Sequence, residues 1–496
     1  MSASATAIRP SFLLVFVCTT QLLILSLSGA EPGKNWAQFR GPNATGVYQG
    51  KEEIPARFSS KEKVLWSAEL GEGIASPVIW QGRVYATAFL PDTHFVCFCL
   101  DATSGEEIWR RQFDTGPLPK IMPPNTHASS TPATDGERVY VYFSTLGLMA
   151  LDADTGASMW TYKTPLPVYL MGWGAAHSPI LVQDMLVFNQ DDDLSPFLMA
   201  LDKVTGEVRW RTPRPEMLAG YAVPVVCTAE GQTDIVIAGS GKLKGYDPDS
   251  GIERWTCNSL LRTIMTTPAV HEDTLYVAVQ SYGDSGRVLK YALLQWTDVN
   301  QDGKLSKAEL DPSFEAKFDR GDQDQDGFLN EDEIDRAFQS PDNRVGGGKI
   351  IQAIRGGGKG DVTATHMKWN LQNNRAPSNI ASPLVVDNRL FLVKRGGLSA
   401  CLNAENGEAL WMQKRIRNLG YYYASPVAGD GKIFVAGHNG YVVVLKQGSE
   451  LDILAKNDME EPCIATPAIA GGKLYIRTLN HLYCISAEAA KKEAQP

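Results

Sequence analysis

After its first thirty residues the chain contains no apolar run of the ~20 residues that a membrane-spanning helix needs. Cysteine is scarce. Beyond Cys18 there are only Cys97, Cys99, Cys227, Cys257, Cys401, Cys463 and Cys484. An odd number without regular spacing excludes a disulfide framework and suits buried strand residues. There is no HxH or HExxH pair, so a zinc site of that kind is excluded. There is no CxxCH for haem. The glycine-rich RGGGKGDVT, from Arg355, lacks the Ser or Thr that a phosphate loop needs, because Gly360 follows Lys359. It reads as an extended turn. Basic charge is short as well. Forty-seven Lys and Arg face 56 Asp and Glu, net −9. That balance excludes a broad basic face for nucleic acid.

What is present is ordinary for a globular protein, 44% apolar and 21% charged. Residues 1–30 read as a cleaved secretory signal: Arg9, the apolar stretch Ser11–Leu27, then the small residues Ser28-Gly29-Ala30. The expected product is exported, periplasmic or secreted, monomeric, and free of a membrane span once cleaved. Length alone suggests about three domains, but an internal repeat fills the chain. A Ser/Thr-Pro or Val-Pro pair recurs with prolines at 77, 132, 179, 224, 268, 383, 426 and 467. After each come two apolar runs around a turn, as in SPVIWQGRVYATA from Ser76. A second pattern follows, as in ALDADTGASMW ending at Trp160, CLDATSGEEIW at Trp109 and ALDKVTGEVRW at Trp210. The Asp binds the turn backbone, the Gly takes positive φ, and a fourth strand delivers the Trp. Four strands per repeat and eight repeats predict an all-β, eight-bladed propeller over 63–487. The last repeat lacks a fourth strand. Lys63–Leu70, with Trp66, should supply it and close the ring. Residues 31–62 form an N-terminal extension, with Trp36 and Phe39 against a blade and Arg40-Gly41-Pro42 near the mouth. The seventh repeat has Leu454 near the expected Trp place, and residues 488–496 are a tail.

These repeats resemble the PQQ-binding-like β-propeller family, which includes quinoprotein alcohol dehydrogenases and a lipoprotein of the outer-membrane barrel-assembly machinery. The resemblance implies tryptophans docked between blades. It also admits PQQ as a cofactor. In the dehydrogenases a vicinal disulfide and a Trp sandwich the quinone; here Cys97-Phe98-Cys99 is the nearest approach. No Asp or Glu can be matched to the catalytic roles.

One interval breaks the period. Between Pro268 and Pro383 lie about 70 extra residues, assigned to 283–348 in the fifth repeat. They contain DVNQDGKLSKAE (298–309) and DQDQDGFLNEDE (322–333). Calcium wants six to eight oxygens. Asp298, Asn300 and Asp302, and Asp322, Asp324 and Asp326, supply side-chain oxygens. Lys304 and Phe328 supply carbonyls, Ser306 and Asn330 take position nine, and Glu309 and Glu333 close the sites. These loops resemble EF-hands, which implies two Ca²⁺ sites. The loops start only 24 residues apart, a compact pair that favours a structural role over a sensor. Residues 298–336 hold thirteen acids and five bases, so most of the chain's net charge sits there.

Loops entering the innermost strands should meet at one mouth of the channel. They carry His127, Trp173, His177, Tyr221, Arg262, Arg375, Asn379, Tyr421 and Tyr422. Such a rim suits an anionic, planar or sugar-like ligand. The expected function is a non-enzymatic calcium-binding scaffold for a protein or extracellular ligand. The alternative is a PQQ-dependent oxidoreductase.

Overall fold

The computed structural model describes residues 33–489 except 91–93, 170–171, 216, 218–219, 259–264, 282–293, 295–296, 311–314, 339–347, 373–379, 418 and 421–422. The expected signal segment and most of the expected tail lie outside the described residues. Among the described residues no helix is long and apolar enough to cross a membrane.

Eight antiparallel sheets follow one another along the chain. Blades 1 to 4 span 78–114, 133–162, 180–213 and 225–257; blades 5 to 7 span 269–372, 384–415 and 427–458. Blade 8 has three strands from 468–486, and its fourth is Val64–Glu69. Trp66 there pairs with Cys484. The closing strand expected at 63–70 is therefore present, and the protein is an eight-bladed propeller of four-stranded sheets. Each innermost strand starts directly after a repeat proline, on the edge where a missing N–H leaves no ladder bond unmade.

The tryptophans join the blades. Trp66 Nε1 donates to Ala102 O (3.1 Å), Trp109 to Ala153 O (3.0 Å), Trp160 to Lys203 O (3.1 Å), Trp210 to Pro248 O (2.9 Å) and Trp369 to Ala404 O (2.9 Å). Each acceptor sits in the Asp-turn-Gly segment of the next blade. The turn is rigid because its Asp or Asn side chain accepts backbone N–H groups, as Asp152 does from Asp154 and Thr155. Its glycine has positive φ and lies flat under the incoming indole. A Cβ on Gly156 would come 2.7 Å from Trp109. Burying roughly 200 Å² of Trp is worth about 5 kcal/mol, against about 1 kcal/mol for the hydrogen bond, so burial dominates the joint.

Three joints depart from this pattern, for a visible reason. Blade 5 has RGGGKGDVT in place of the Asp turn. That segment is more than an extended turn: Gly360–Asp361 adds a short parallel strand beside Trp255 and Thr256 of blade 4. With no turn to meet, Trp255 turns its N–H to Asp234 Oδ2 in its own blade (2.7 Å). Blade 7 also lacks the turn, and Trp411 Nε1 is buried without a partner. In blade 7 the ladder puts Ala455 opposite Val444, the place the Trp holds elsewhere, so Leu454 is one residue off the expected position. Ala455 and Phe58, from the N-terminal extension, share one hydrophobic cluster. Phe58 N donates to Asn457 Oδ1 (3.0 Å) two residues further along that strand.

The joint can be tested by two glycine substitutions. Gly156→Ala meets both positive φ and the indole and should destabilise by roughly 3 kcal/mol. Gly431→Ala has φ +66 but open space around it, and should cost roughly 1 kcal/mol. Denaturant unfolding checks the order; equal losses would contradict stacking on the turn.

Candidate functional site at the channel

Trp36 lies against blade 1 as expected, and Phe39 packs on the core of blades 3 and 4, but the extension goes further. It crosses the end of the channel. Trp36 exchanges backbone hydrogen bonds with Ile79 of blade 1, and Thr134 N of blade 2 donates to Ala37 O. Leu181 N of blade 3 donates to Gln38 Oε1 (3.3 Å), and Asn43 binds both backbone groups of Val226 in blade 4. Arg40 Nη2 donates to Pro383 O of blade 6 (2.7 Å), and Tyr48 N to Ala428 O of blade 7. Gly472 N of blade 8 donates to Tyr48 Oη (2.8 Å). Innermost strands have free backbone groups on the channel side, and this segment satisfies them. Arg40 is fully buried with only Nη2 bonded to carbonyls and no carboxylate opposite among the described residues, and burial pushes its pKa down to about 9. Arg40 therefore belongs to the plug and not to the mouth.

Above the plug is a cavity of about 380 Å³ with Phe39 in its floor. Its wall carries the eight residues that precede the repeat prolines: Ser76, Thr131, Ser178, Val223, Thr267, Ser382, Ser425 and Thr466. They form a belt. Ser76 N donates to Thr131 Oγ1 (3.1 Å), and Thr131 N to Ser178 Oγ (2.9 Å). The belt resumes from Val223 N to Thr267 Oγ1 (3.0 Å), then through Ser382 and Ser425 to Thr466. A residue before proline is held extended, which aims its N–H at the next blade. Sequence reasoning found the Ser/Thr-Pro pairs but not this use of the hydroxyls; the signal was the near-constant hydroxyl.

Of the expected rim residues, Trp173 and Tyr221 line the cavity, joined by Tyr423. Their rings are 6.2 Å apart. His127 lies off the cavity, edge-on to Phe89 at 5.3 Å. His177 is behind the wall, fully buried. Arg262, Arg375, Asn379, Tyr421 and Tyr422 lie outside the described residues.

His177 belongs to a buried polar cluster that sequence reasoning missed. Its Nε2 accepts the N–H of Asp191 (3.4 Å) and its Nδ1 meets Tyr169 Oη (2.8 Å). In the neutral ring the proton is therefore on Nδ1. Its ring stacks at 6.1 Å on Tyr221. Asp191 takes a two-pronged pair from Arg214, Nε at 2.7 Å and Nη2 at 2.9 Å, with both side chains buried. Asp192 accepts from the N–H groups of Val168, Leu194 and Ser195. Burial still pushes its pKa up to about 7. Three acids in a row, Asp191-Asp192-Asp193, look like a solvated loop in sequence; here all three are buried.

The 298–338 segment brings its acids together as two loops. Leu305 pairs with Leu329 and Ser306 with Phe328 in a short antiparallel contact. Gly303 N donates to Asp298 Oδ2 (2.9 Å) and Gly327 N to Asp322 Oδ2 (3.1 Å), so each loop curls over its first Asp. Glu309 folds back onto Val299 N and Ser306 N; Glu333 does the same with Gln323 N and Asn330 N. Asp322, Asp324 and Glu333 place an oxygen each within 4.8 Å of one another, and Asp322 Oδ1 is buried without a partner. Helices Glu315–Gly321 and Glu331–Phe338 flank the second loop. An all-oxygen cradle with an orphaned carboxylate oxygen suits a hard divalent cation.

The fit of a quinone is poorer. Pyrroloquinoline quinone carries three carboxylates, and the described cavity lining has no cationic or acidic side chain. Cys97 and Cys99 are buried, unpaired thiols in blade 1, not a vicinal disulfide at the cavity.

A family model described as outer membrane protein assembly factor BamB matches residues 46–167, 96–312 and 368–494. The chain belongs to the PQQ-like β-propeller repeat family. Within that family it is 23% identical over 309 residues to BamB of Shewanella oneidensis, covering 43% of this chain and 75% of that protein. It is 33% identical over 135 residues to a quinoprotein ethanol dehydrogenase of Pseudomonas aeruginosa, covering 24% of this chain and only 20% of the dehydrogenase. In fold it is similar to the crystal structure of BamB from Moraxella catarrhalis (TM-score 0.52, 15% identity, 86% of this chain and 98% of that one). It is also similar to the quinohemoprotein alcohol dehydrogenase of Comamonas testosteroni (TM-score 0.55, 12% identity, 95% and 83%).

The buried histidine gives a pH test. Desolvation pushes the His177 pKa down to about 4, below its ordinary 6.5. The unfolded chain then binds a proton first as pH falls, so this part of the stability is present above pH 6.5 and lost toward pH 4. Denaturation of wild type and His177→Gln over that window should give curves that converge on acidification. Parallel curves would contradict a neutral buried histidine.

Proposed function

We propose that the protein is an exported, calcium-binding propeller that works as a non-enzymatic scaffold, presenting its channel mouth and rim to a protein or extracellular ligand. The observation that carries this reading is the composition of the cavity. Among its described lining residues there are six belt hydroxyls that accept a backbone N–H from a neighbouring blade, an aromatic wall and an apolar floor. None of these described residues is an acid, a base or an activated nucleophile. The similarity to assembly factors named BamB supports a protein partner in the cell envelope. The targeting segment expected at residues 1–30 supports export to the periplasm or beyond.

Calcium enters through the two loops, with Asp298, Asn300, Asp302, Lys304, Ser306 and Glu309 as ligands of the first. Asp322, Asp324, Asp326, Phe328, Asn330 and Glu333 serve the second. When bound, the ion would neutralise crowded carboxylates and rigidify the insertion. Titration calorimetry on the full chain should give two binding events. Glu309→Gln and Glu333→Gln should each remove one, lowering the affinity of that site by roughly 100-fold or more. Unchanged heats in both variants would overturn the assignment.

The stretch of 33% identity to a quinoprotein ethanol dehydrogenase and the aromatic wall of Trp173 and Tyr221 favour a second reading, a quinone-dependent oxidoreductase. Adding PQQ with calcium distinguishes the two. The scaffold reading expects no change in quinone absorbance and no dye reduction with alcohols; both together would establish the enzyme.

A further inference from the structure

The calcium loops grow out of blade 5, yet they pack on blade 3. The core of the insertion is Leu305, Leu310, Phe318, Leu329, Ile334 and Ala337, and it is completed by Leu194, with Val168 packed against it. Leu194 is 5% exposed. It directly follows the three buried aspartates. Lys317 of the insertion is also drawn in: burial lowers its pKa, and the charge of Asp192 is among the groups acting on it. Leu194, with Val168 beside it, thus holds the insertion on one loop of the propeller.

That loop is the back of the cavity wall. Asp193 N donates to Val168 O (2.9 Å) and Val168 N to Asp192 Oδ2 (3.2 Å), which ties 168 to 192–193. The next residue, Tyr169, stacks on Tyr221 at 4.9 Å, and Tyr221 faces the cavity. Gly220, beside Tyr221, donates its N–H to Asp191 O (2.9 Å). From Leu194 to the cavity surface there are two packed steps.

We infer that the insertion is a calcium-dependent brace of the cavity wall, and that occupancy of the two loops sets the order of Tyr169, Trp173 and Tyr221. The inference rests on the calcium reading above. Leu305 and Leu329, which share one core with Leu194, are the residues that pair between the two ion loops. Without a cation, repulsion among the loop carboxylates opposes that pairing. The core that includes Leu194 then loosens, and residues 168–169 and 191–194 lose their outer support. A ligand that needs an ordered aromatic wall binds only the braced state, so calcium and ligand favour one another.

Hydrogen exchange on the full-length protein tests this, with calorimetry on the same samples. Calcium against chelator should slow exchange by roughly tenfold or more in peptides carrying Val168–Tyr169, Trp173 and Tyr221, as well as in the loops. Glu309→Gln with Glu333→Gln should abolish calcium heat and the slowing. Leu194→Ala should keep calcium heat and protection in the loops and lose the slowing at the cavity wall. Calcium heat with protection confined to 298–338 in the wild type would overturn the brace alone. Absence of calcium heat in the wild type would overturn the brace together with the calcium reading beneath it.

Discussion

The joint between a tryptophan and the next blade's turn is what the rest of the molecule depends on. A four-stranded blade cannot bury both of its faces by itself; it needs a neighbour on each side. The indole fixes how far that neighbour stands and at what angle. The glycine sets the closest approach, and the Asp that accepts its turn's own N–H groups keeps the platform flat. Repeated around the ring, this contact leaves a fixed hole in the middle, with eight innermost strands facing it.

That hole creates the second problem the chain must solve. Innermost strands expose backbone groups and a ring of repeat prolines, and the N-terminal extension and the hydroxyl belt divide the task. Residues 36–48 bond to seven blades at one end. The belt links neighbouring strands at the level of the cavity. Val223, the one member without a hydroxyl, still donates to Thr267 but offers blade 3 no acceptor. What remains open is a cup with an aromatic wall, held by elements already needed for closure. A binding surface made this way is preorganised, because its side chains are fixed by the fold before any ligand arrives.

The insertion shows how a local motif takes a new neighbour in three dimensions. Its loops follow the spacing that oxygen ligation demands, and its core would serve on its own in many settings. Leu194 changes that by closing the core from another blade. The buried acids behind it, Asp191 with Arg214 and Asp192 at a raised pKa of about 7, occupy the same short loop. Removing one partner of such a pair costs several kcal/mol, because a charge is left without its complement.

Repeat period, blade number, the closing strand and the two acidic loops were all legible in the sequence, because each rests on contacts within about ten residues or on a period that alignment of the chain with itself exposes. The Asp-turn-Gly-Trp spacing is local backbone geometry. The D-x-[DN]-x-[DN]-G spacing is a chelate ring. What only the tertiary structure decided depends on residues far apart in the chain. Arg40 is a plug residue because the carbonyl of Pro383, from blade 6, takes its guanidinium. His177 is a core residue because Tyr169 and Tyr221 close over it. Ala455, not Leu454, stands at the Trp place, because a bulge in the ladder sets the register. Leu194 belongs to the insertion because the fold brings blade 3 beside a core whose residues begin at Leu305, more than a hundred residues later.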